Sequence, residues 1–150
     1  MDTVTFPGSY KSLEKISDFV GRAAKEAGLD AQAIYAVQLA VDEACCNIID
    51  HAYGGEGIGD VQCTVHIRQG ELTVILRDHG KPYKPAAIPS PRLHLPLSRV
   101  KSRGVGRYLI QKLMDKVTYE TSPESGNTLT LVKRRSQAVK PGDRASQPAE

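Results

Sequence analysis

The chain has 150 residues, which suits one compact domain and is too short for two ordinary ones. Its 20 Lys and Arg against 17 Asp and Glu leave a formal net charge of +3, and the basic residues are scattered apart from the run at 133–135, so the composition does not indicate nucleic-acid binding. Three cysteines without paired spacing argue against a disulfide framework, and the sequence has neither a secretion signal nor an apolar run of the roughly 20 residues that a membrane helix needs, so we expect a cytoplasmic protein.

The N-terminal part predicts a strand followed by two helices. Residues 3–6 are a short strand candidate closed by a Pro-Gly pair. Ser9 or Ser12 is a candidate cap for the first helix, which Gly28 ends, and Asp30 is a candidate cap for the second. The apolar stripe of the first helix comprises Leu13, Ile16, Val20, Ala23 and Ala27.

The second helix carries polar residues at helical spacing. Glu43, Asn47 and Asp50 recur every three or four residues, so one face would carry a carboxylate, an amide and a second carboxylate. The apolar residues that should anchor the helix to a core fall on a different face: Ile34, Val37, Val41, Cys45, Ile48 and Ala52. For the helix alone, an ordinary solvated face is the favoured interpretation of this polar stripe, and the motifs further along the chain change that balance.

The middle of the chain predicts a hairpin and a long loop. Residues 61–67 and 72–76 alternate between apolar and polar, and the Gln-Gly pair between them is typical of a tight turn, so they form an antiparallel hairpin. Residues 84–103 contain four prolines and no sustained period, a length that is unusual for a connection without a function. We interpret this loop as a lid.

The last third predicts a helix from about residue 106 to 115 and a second hairpin with strands at 117–121 and 128–132. The layout is α+β, with helices over one antiparallel-rich sheet. The basic run ends a strand, so a solubilising strand end is favoured over a phosphate contact. Residues 136–150 have almost no apolar content and predict a disordered tail after a domain at 1–135.

Three ordered motifs stand at the junctions of these elements. They are Glu43 and Asn47 with the helix end His51-Ala52-Tyr53, the turn Asp78-His79-Gly80-Lys81-Pro82-Tyr83, and the glycine pair Gly104-Val105-Gly106 before a helix that ends Leu113-Met114-Asp115. Together they resemble the Bergerat-fold ATPases shared by gyrase, the Hsp90 chaperones, histidine kinases and MutL, and within them the small anti-sigma-factor serine kinases. The resemblance implies ATP and Mg²⁺ as ligands. It also implies a two-layer α/β sandwich whose mixed, mostly antiparallel sheet is covered by helices on one face.

The helix motif has residue types that suit phosphoryl transfer. A nucleotide-bound magnesium ion keeps most of its coordination from water and phosphate, so the amide oxygen of Asn47 can be its protein ligand. Glu43, one turn away, fits a general base or an orienting group for the attacking hydroxyl. The resemblance assigns the same roles to these two residues, and we place Asp50 with them among the nucleotide contacts.

The second motif suits recognition of a base. Asp78 ends an apolar strand, where a buried carboxylate needs a donor, and the exocyclic amine of adenine could supply one. Gly80 would let the backbone approach a flat ring, and the family uses its Asp and Gly this way. A plain turn is the alternative. Thr128 is similar to a family threonine near the adenine, although a threonine in a strand is by default only a good β-former.

The third motif suits phosphate binding. Gly104, Val105 and Gly106 precede a helix, where free N–H groups and the helix dipole attract phosphate oxygens. Among the neighbouring basic residues we favour Arg103 for the charge on the terminal phosphate. Arg107 departs from the family, which usually has an aliphatic residue there, so the individual phosphate contacts stay open.

The leading hypothesis is an ATP-dependent serine/threonine kinase of the anti-sigma-factor type. By resemblance it would phosphorylate a small STAS-type antagonist, bind a sigma factor and form a homodimer, with no direct nucleic-acid or membrane contact. The second hypothesis is a nucleotide-dependent protein clamp without useful kinase turnover.

Overall fold

The computed structural model describes residues 1–82 and 106–136, without the side chains of residues 106 and 107. Its elements are β1 (Asp2–Pro7), α1 (Ser12–Glu26), α2 (Ala31–Asn47) with a π-helical turn (Ile48–Ala52), β2 (Asp60–Arg68), β3 (Glu71–Asp78), α3 (Gly106–Leu113), β4 (Lys116–Ser122) and β5 (Gly126–Arg134). The predicted lid at 84–103 lies outside this description, as do Arg103, Gly104, Val105 and the tail from residue 137. The domain boundary at 135 therefore stays a prediction.

The five strands form one sheet in the order β1-β2-β3-β5-β4, and every described pairing is antiparallel. Gln69 and Gly70 join β2 to β3, and Gly70 has a φ of 78°, which a two-residue turn between twisted strands requires. Both predicted hairpins are confirmed, and so is the α+β class. The resemblance implied a mixed sheet, whereas no parallel pair occurs among the described strands.

The core lies between the helices and one face of the sheet. Alternate residues of the strands point toward the helices and are buried: Val61, Cys63 and Val65 in β2, Leu72, Val74 and Leu76 in β3, and Leu129 and Leu131 in β5. The predicted stripes of α1 and α2 face this layer, with Leu13 and Ile34 partly buried and the others buried. Burial of these apolar faces positions the polar ends of α2 and β3 at one end of the sheet.

The two helix starts differ from each other. Asp30 caps α2, accepting a hydrogen bond from Ala33 N at 2.8 Å, as the sequence predicts. The prediction for α1 is wrong, because its cap position is Lys11, which makes no side-chain cap bond. Ser12 instead donates its hydroxyl to Pro7 O at 2.7 Å and ties the helix start to β1.

The basic run has structural partners. Lys133 donates to Leu113 O at 2.7 Å at the end of α3, and Arg134 pairs with Glu71 on β3 at 3.1 Å. These contacts support the strand-end interpretation. Within the described residues, Cys45 and Cys63 are buried free thiols, and no helix is long and apolar enough to cross a bilayer.

Candidate functional site

The polar face of α2 becomes more exposed toward its C-terminal end. Glu43 is 3% exposed, Asn47 is half-buried as the last residue of the α-helix, and Asp50 is exposed. A carboxylate at this exposure is not part of a solvated surface, so the alternative of an ordinary polar face does not hold for Glu43. Glu43 and Asn47 are four residues apart on one α-helix, and the structure therefore keeps them on the same face.

Asp50 leaves this face because the helix changes its winding. Residues Ile48–Ala52 form a π-helical turn, in which Tyr53 N donates to Ile48 O at 2.9 Å across five residues. Such a turn winds more loosely than an α-helix, so a residue three positions after Asn47 no longer lies in line with it. The prediction of a single face for all three residues is wrong at Asp50.

Asp50 instead binds the turn between β1 and α1. The Tyr10 hydroxyl donates to Asp50 Oδ1, and this hydrogen bond together with the negative charge of Asp50 raises the pKa of Tyr10 to about 12. The same turn binds Glu56, whose Oε1 accepts from Tyr10 N at 2.7 Å and Ser9 Oγ at 3.1 Å. These contacts hold the turn at 8–11 against the segment that follows α2. The assignment of Asp50 to the nucleotide stays a prediction that this geometry does not favour.

Asp78 lies at the other end of the site in a closed polar network. It is 5% exposed at the end of β3, directly opposite Asn127 on β5. Its Oδ1 accepts two hydrogen bonds, from Gly80 N at 2.9 Å and from Asn127 Nδ2 at 2.8 Å. The predicted burial of a hydrogen-bonded carboxylate at this strand end is observed, and protein donors supply part of its bonding.

Asn127 is a residue of this site that the sequence interpretation missed. It is 2% exposed, and its side chain also donates to Gly80 O at 3.0 Å and accepts from Thr121 Oγ1 at 2.7 Å. The alternation of β5 could have identified it. Leu131 and Leu129 face inward, and Asn127 lies two positions before Leu129, so its side chain points to the same face.

Thr128, which the sequence assigns to the adenine site, lies next to Asn127 on β5. It pairs in register with Arg77 and follows the outward phase of β5, away from the helices. Because successive side chains of a strand point to opposite faces, the residue beside Asp78 is Asn127 and not Thr128. The assignment of Thr128 to the adenine site stays a prediction, and the contact with Asp78 is made by its neighbour.

Gly80 is fixed by contact with the end of the π-helical turn. A Cβ at this position would lie 2.4 Å from Ala52 O, and Lys81 N donates to the same carbonyl at 2.7 Å. The absence of a side chain is thus required by the protein itself, whether or not a ring also lies nearby. Gly126, with a φ of 77°, makes a similar approach to Asp78 O from β5.

Tyr53 joins three segments at this end of the fold. Its hydroxyl accepts from His79 N at 3.0 Å and donates to Asp60 O at 2.7 Å, and burial raises its pKa. His51 is exposed. Tyr53 therefore has a structural role in holding these segments together.

An open cleft of about 760 Å³ lies beside these contacts. Its lining comprises Ala52, Tyr53, Ile58, Gly59, Asp60, His79, Gly80, Lys81 and Pro82. Its size is in the range of small-molecule sites. However, Glu43, Asn47 and Asp78 are not among the lining residues, so we do not equate this cleft with the nucleotide site. Within residues 1–82 and 106–136, no group of three or more His, Cys, Asp or Glu side chains could hold a metal ion by itself.

The comparisons with known proteins define the class. The family model for the histidine kinase-like ATPase domain matches residues 6–133, and the chain belongs to this family. Membership implies use of ATP and agrees with the helix-covered antiparallel sheet.

Within the family, the named relatives with similar sequences are serine-protein kinases. The chain is 30% identical over 134 residues to the serine-protein kinase RsbW of Halalkalibacterium halodurans, covering 87% of this chain and 80% of the relative. It is 30% identical over 112 residues to the RsbW of Listeria innocua, covering 72% and 70%. A solved structure of the RsbU and RsbW domains of Rv1364c from Mycobacterium tuberculosis matches with a TM-score of 0.58 at 14% identity, over 89% of this chain and 32% of that one.

These findings confirm the resemblance to the anti-sigma-factor serine kinases and the enzyme class, an ATP-dependent kinase. The match to the mycobacterial structure supports the fold alone.

Proposed function

We propose that the chain is a serine/threonine kinase that transfers the γ-phosphate of ATP to a hydroxyl on a STAS-type antagonist protein and also sequesters a sigma factor. The observation that carries the chemical part is the buried Glu43 one turn from Asn47. The names of the RsbW relatives support the serine-protein substrate. A cytoplasmic location and a homodimer belong to the same proposal.

The donor set of α2 fits a nucleotide-bound Mg²⁺. Asn47 offers an uncharged amide oxygen, and the phosphates and water would complete the coordination. When bound, the ion neutralises charge on the phosphates. Gly106 opens α3, whose free N–H groups would face phosphate oxygens together with the groups proposed at Arg103, Gly104 and Val105.

Glu43 supplies the base in this mechanism. Its carboxylate accepts the proton of the substrate hydroxyl as that oxygen bonds to the γ-phosphorus, and the bond from phosphorus to the β–γ bridging oxygen breaks to leave ADP. Asp78 recognises the adenine amine at the far end, with Gly80 supporting the turn beside it. Correct placement of the two ends of ATP would then align the γ-phosphate with the hydroxyl.

The burial of Glu43 also favours the second candidate function, a nucleotide-dependent clamp without turnover. A carboxylate that is 3% exposed must become accessible before a protein hydroxyl can reach it. Under this alternative the chain binds ATP and its partner, but transfers no phosphate.

The test is Glu43→Gln, measured with radiolabelled ATP and the purified STAS-type proteins of the source organism. We expect transfer to fall about 100- to 10,000-fold while ATP affinity changes less than about twofold, because only the base is removed. Glu14→Gln, the same change at an exposed carboxylate on α1, is the matched control. Equal transfer by the Glu43 variant and the native protein would remove Glu43 from the mechanism, and ATP binding without any transfer by the native protein would establish the clamp.

A further inference from the structure

We infer that Asn127 is a positioning residue that fixes the carboxylate of Asp78 and thereby sets a preference for adenine over 6-oxopurines. The inference rests on the proposed adenine site and adds a residue to it. Asn127 is 2% exposed and lies opposite Asp78 in the β3–β5 register. Facing residues of an antiparallel pair lie close enough for direct side-chain contact.

The orientation of the Asn127 amide follows from its partners. Its Nδ2 donates to Asp78 Oδ1 at 2.8 Å and to Gly80 O at 3.0 Å, and both of these atoms are acceptors. A flipped amide would place its oxygen against two acceptors, so only one orientation is compatible with the network. Thr121 Oγ1 then donates to the remaining Oδ1 at 2.7 Å.

Asn127 acts through Asp78 and not on a ligand directly. Both N–H groups of its amide are used, and its oxygen already accepts from Thr121. The two described bonds to Asp78 fall on Oδ1, from Asn127 and from Gly80 N. This arrangement fixes the plane of the carboxylate and leaves Oδ2 as the oxygen for a base.

A fixed carboxylate oxygen discriminates between purines at position 6. Adenine carries an amine there, which can donate to Oδ2, whereas hypoxanthine and guanine carry an oxygen, which cannot. A buried acceptor held in one orientation rejects the wrong group strongly, because it is left without a donor. A carboxylate that can rotate would discriminate less.

The backbone around Asn127 supports the same arrangement. Gly126 has a φ of 77°, and a Cβ there would lie 2.3 Å from Asp78 O. The glycine therefore lets β5 begin close to the end of β3, which brings the Asn127 amide within reach of the carboxylate.

The test compares the dissociation constants of ATP and ITP for the native protein and three variants. Asn127→Leu keeps the approximate size of the side chain and removes its hydrogen bonds. We expect ATP affinity to fall roughly 10- to 100-fold and the ATP-to-ITP preference to fall at least about tenfold. Thr121→Val removes only the hydrogen bond from Thr121 Oγ1 to Asn127 Oδ1. It should shift the ATP-to-ITP preference in the same direction by about two- to fivefold. Thr130→Val, on the opposite face of β5, is the matched control and should change neither quantity.

Each outcome has a distinct meaning. If the native protein binds neither nucleotide, the proposed function itself fails. If it binds ATP and folded Asn127→Leu keeps the native preference, this inference is wrong while the proposed function stands. An equal shift in Thr130→Val would also overturn it, since a general disturbance of β5 would then be the cause. Should Asn127→Leu not fold, an unchanged preference in Thr121→Val decides against the inference.

Discussion

The site has two ends, one at Asp78 and one at Asp50, and they are built in different ways. Asp78 is buried at a strand end, and its Oδ1 accepts from a backbone amide and from the Asn127 side chain. Asp50 is exposed on a π-helical turn and accepts from one tyrosine hydroxyl. Recognition of a ligand favours groups that are already held in place, because less freedom is lost on binding. The Asp78 end is therefore the better candidate for binding a base.

The largest effect on ATP affinity should separate two single variants, Asp78→Asn and Asp50→Asn. In Asp78→Asn, the amide oxygen would take the place of Oδ1, since Gly80 N and Asn127 both donate there, and the new NH₂ group would face the base. We expect ATP affinity to fall about 10- to 100-fold, while Asp50→Asn should change it less than about twofold. Calorimetric titration with ATP and Mg²⁺ measures both. Equal losses in the two variants would contradict the contrast between the ends.

A smaller effect should follow from Gly80→Ala, which tests how the Asp78 end is held. A Cβ would lie 2.4 Å from Ala52 O, so the turn must shift, and we expect a loss of about 1–3 kcal/mol in the free energy of unfolding. Denaturant unfolding measures this loss. His79→Ala, at the adjacent exposed side chain, is the control and should stay within about 0.5 kcal/mol of the native protein. Similar stability of the two variants would show that the turn accommodates a methyl group.

The smallest effect is a change in the ionisation of Tyr10 at the Asp50 end, which tyrosine absorbance reports. Asp50 raises the pKa of Tyr10 to about 12 from its ordinary value of 10.0, because it favours the protonated phenol. Any stability from this contact is therefore present below pH 10 and is lost as the pH rises toward 12. In Asp50→Asn we expect one tyrosine to ionise at lower pH in an alkaline absorbance titration. Asp18→Asn is the control and should titrate like the native protein. Coincident curves for the native protein and Asp50→Asn would exclude the contact between Tyr10 and Asp50 in solution.

Much of the fold could be predicted because its signals are local. The alternation at 61–67 and 72–76 and the Gln-Gly turn between them specify a hairpin, and Asp30 specifies a helix start. Ser12 shows the limit of such signals, because its hydroxyl bonds to Pro7 O on β1 instead of capping its own helix. A hydroxyl near a helix start can serve either partner, and the local sequence does not decide between them.

The candidate site was less predictable, and the errors have physical causes. Asp50 was placed by continuing α-helical spacing through a segment that winds as a π-helix. Asn127 was missed beside the predicted Thr128, and in a strand one residue is the difference between two faces. Both errors arise where one element meets another, and not within an element.

The sequence alone determined the class of this protein, since the residue types and order of the Glu43, Asp78 and Gly104 motifs do not depend on how the segments meet. It also determined that Glu43 and Asn47 share a face, because four residues on an α-helix fix that geometry. Only the tertiary structure decided that Asn127 holds Asp78, that Tyr10 binds Asp50 and that Gly80 meets Ala52. Each of these contacts joins residues 28 or more positions apart, so it exists only once the packing of the apolar faces has brought the strand and helix ends together.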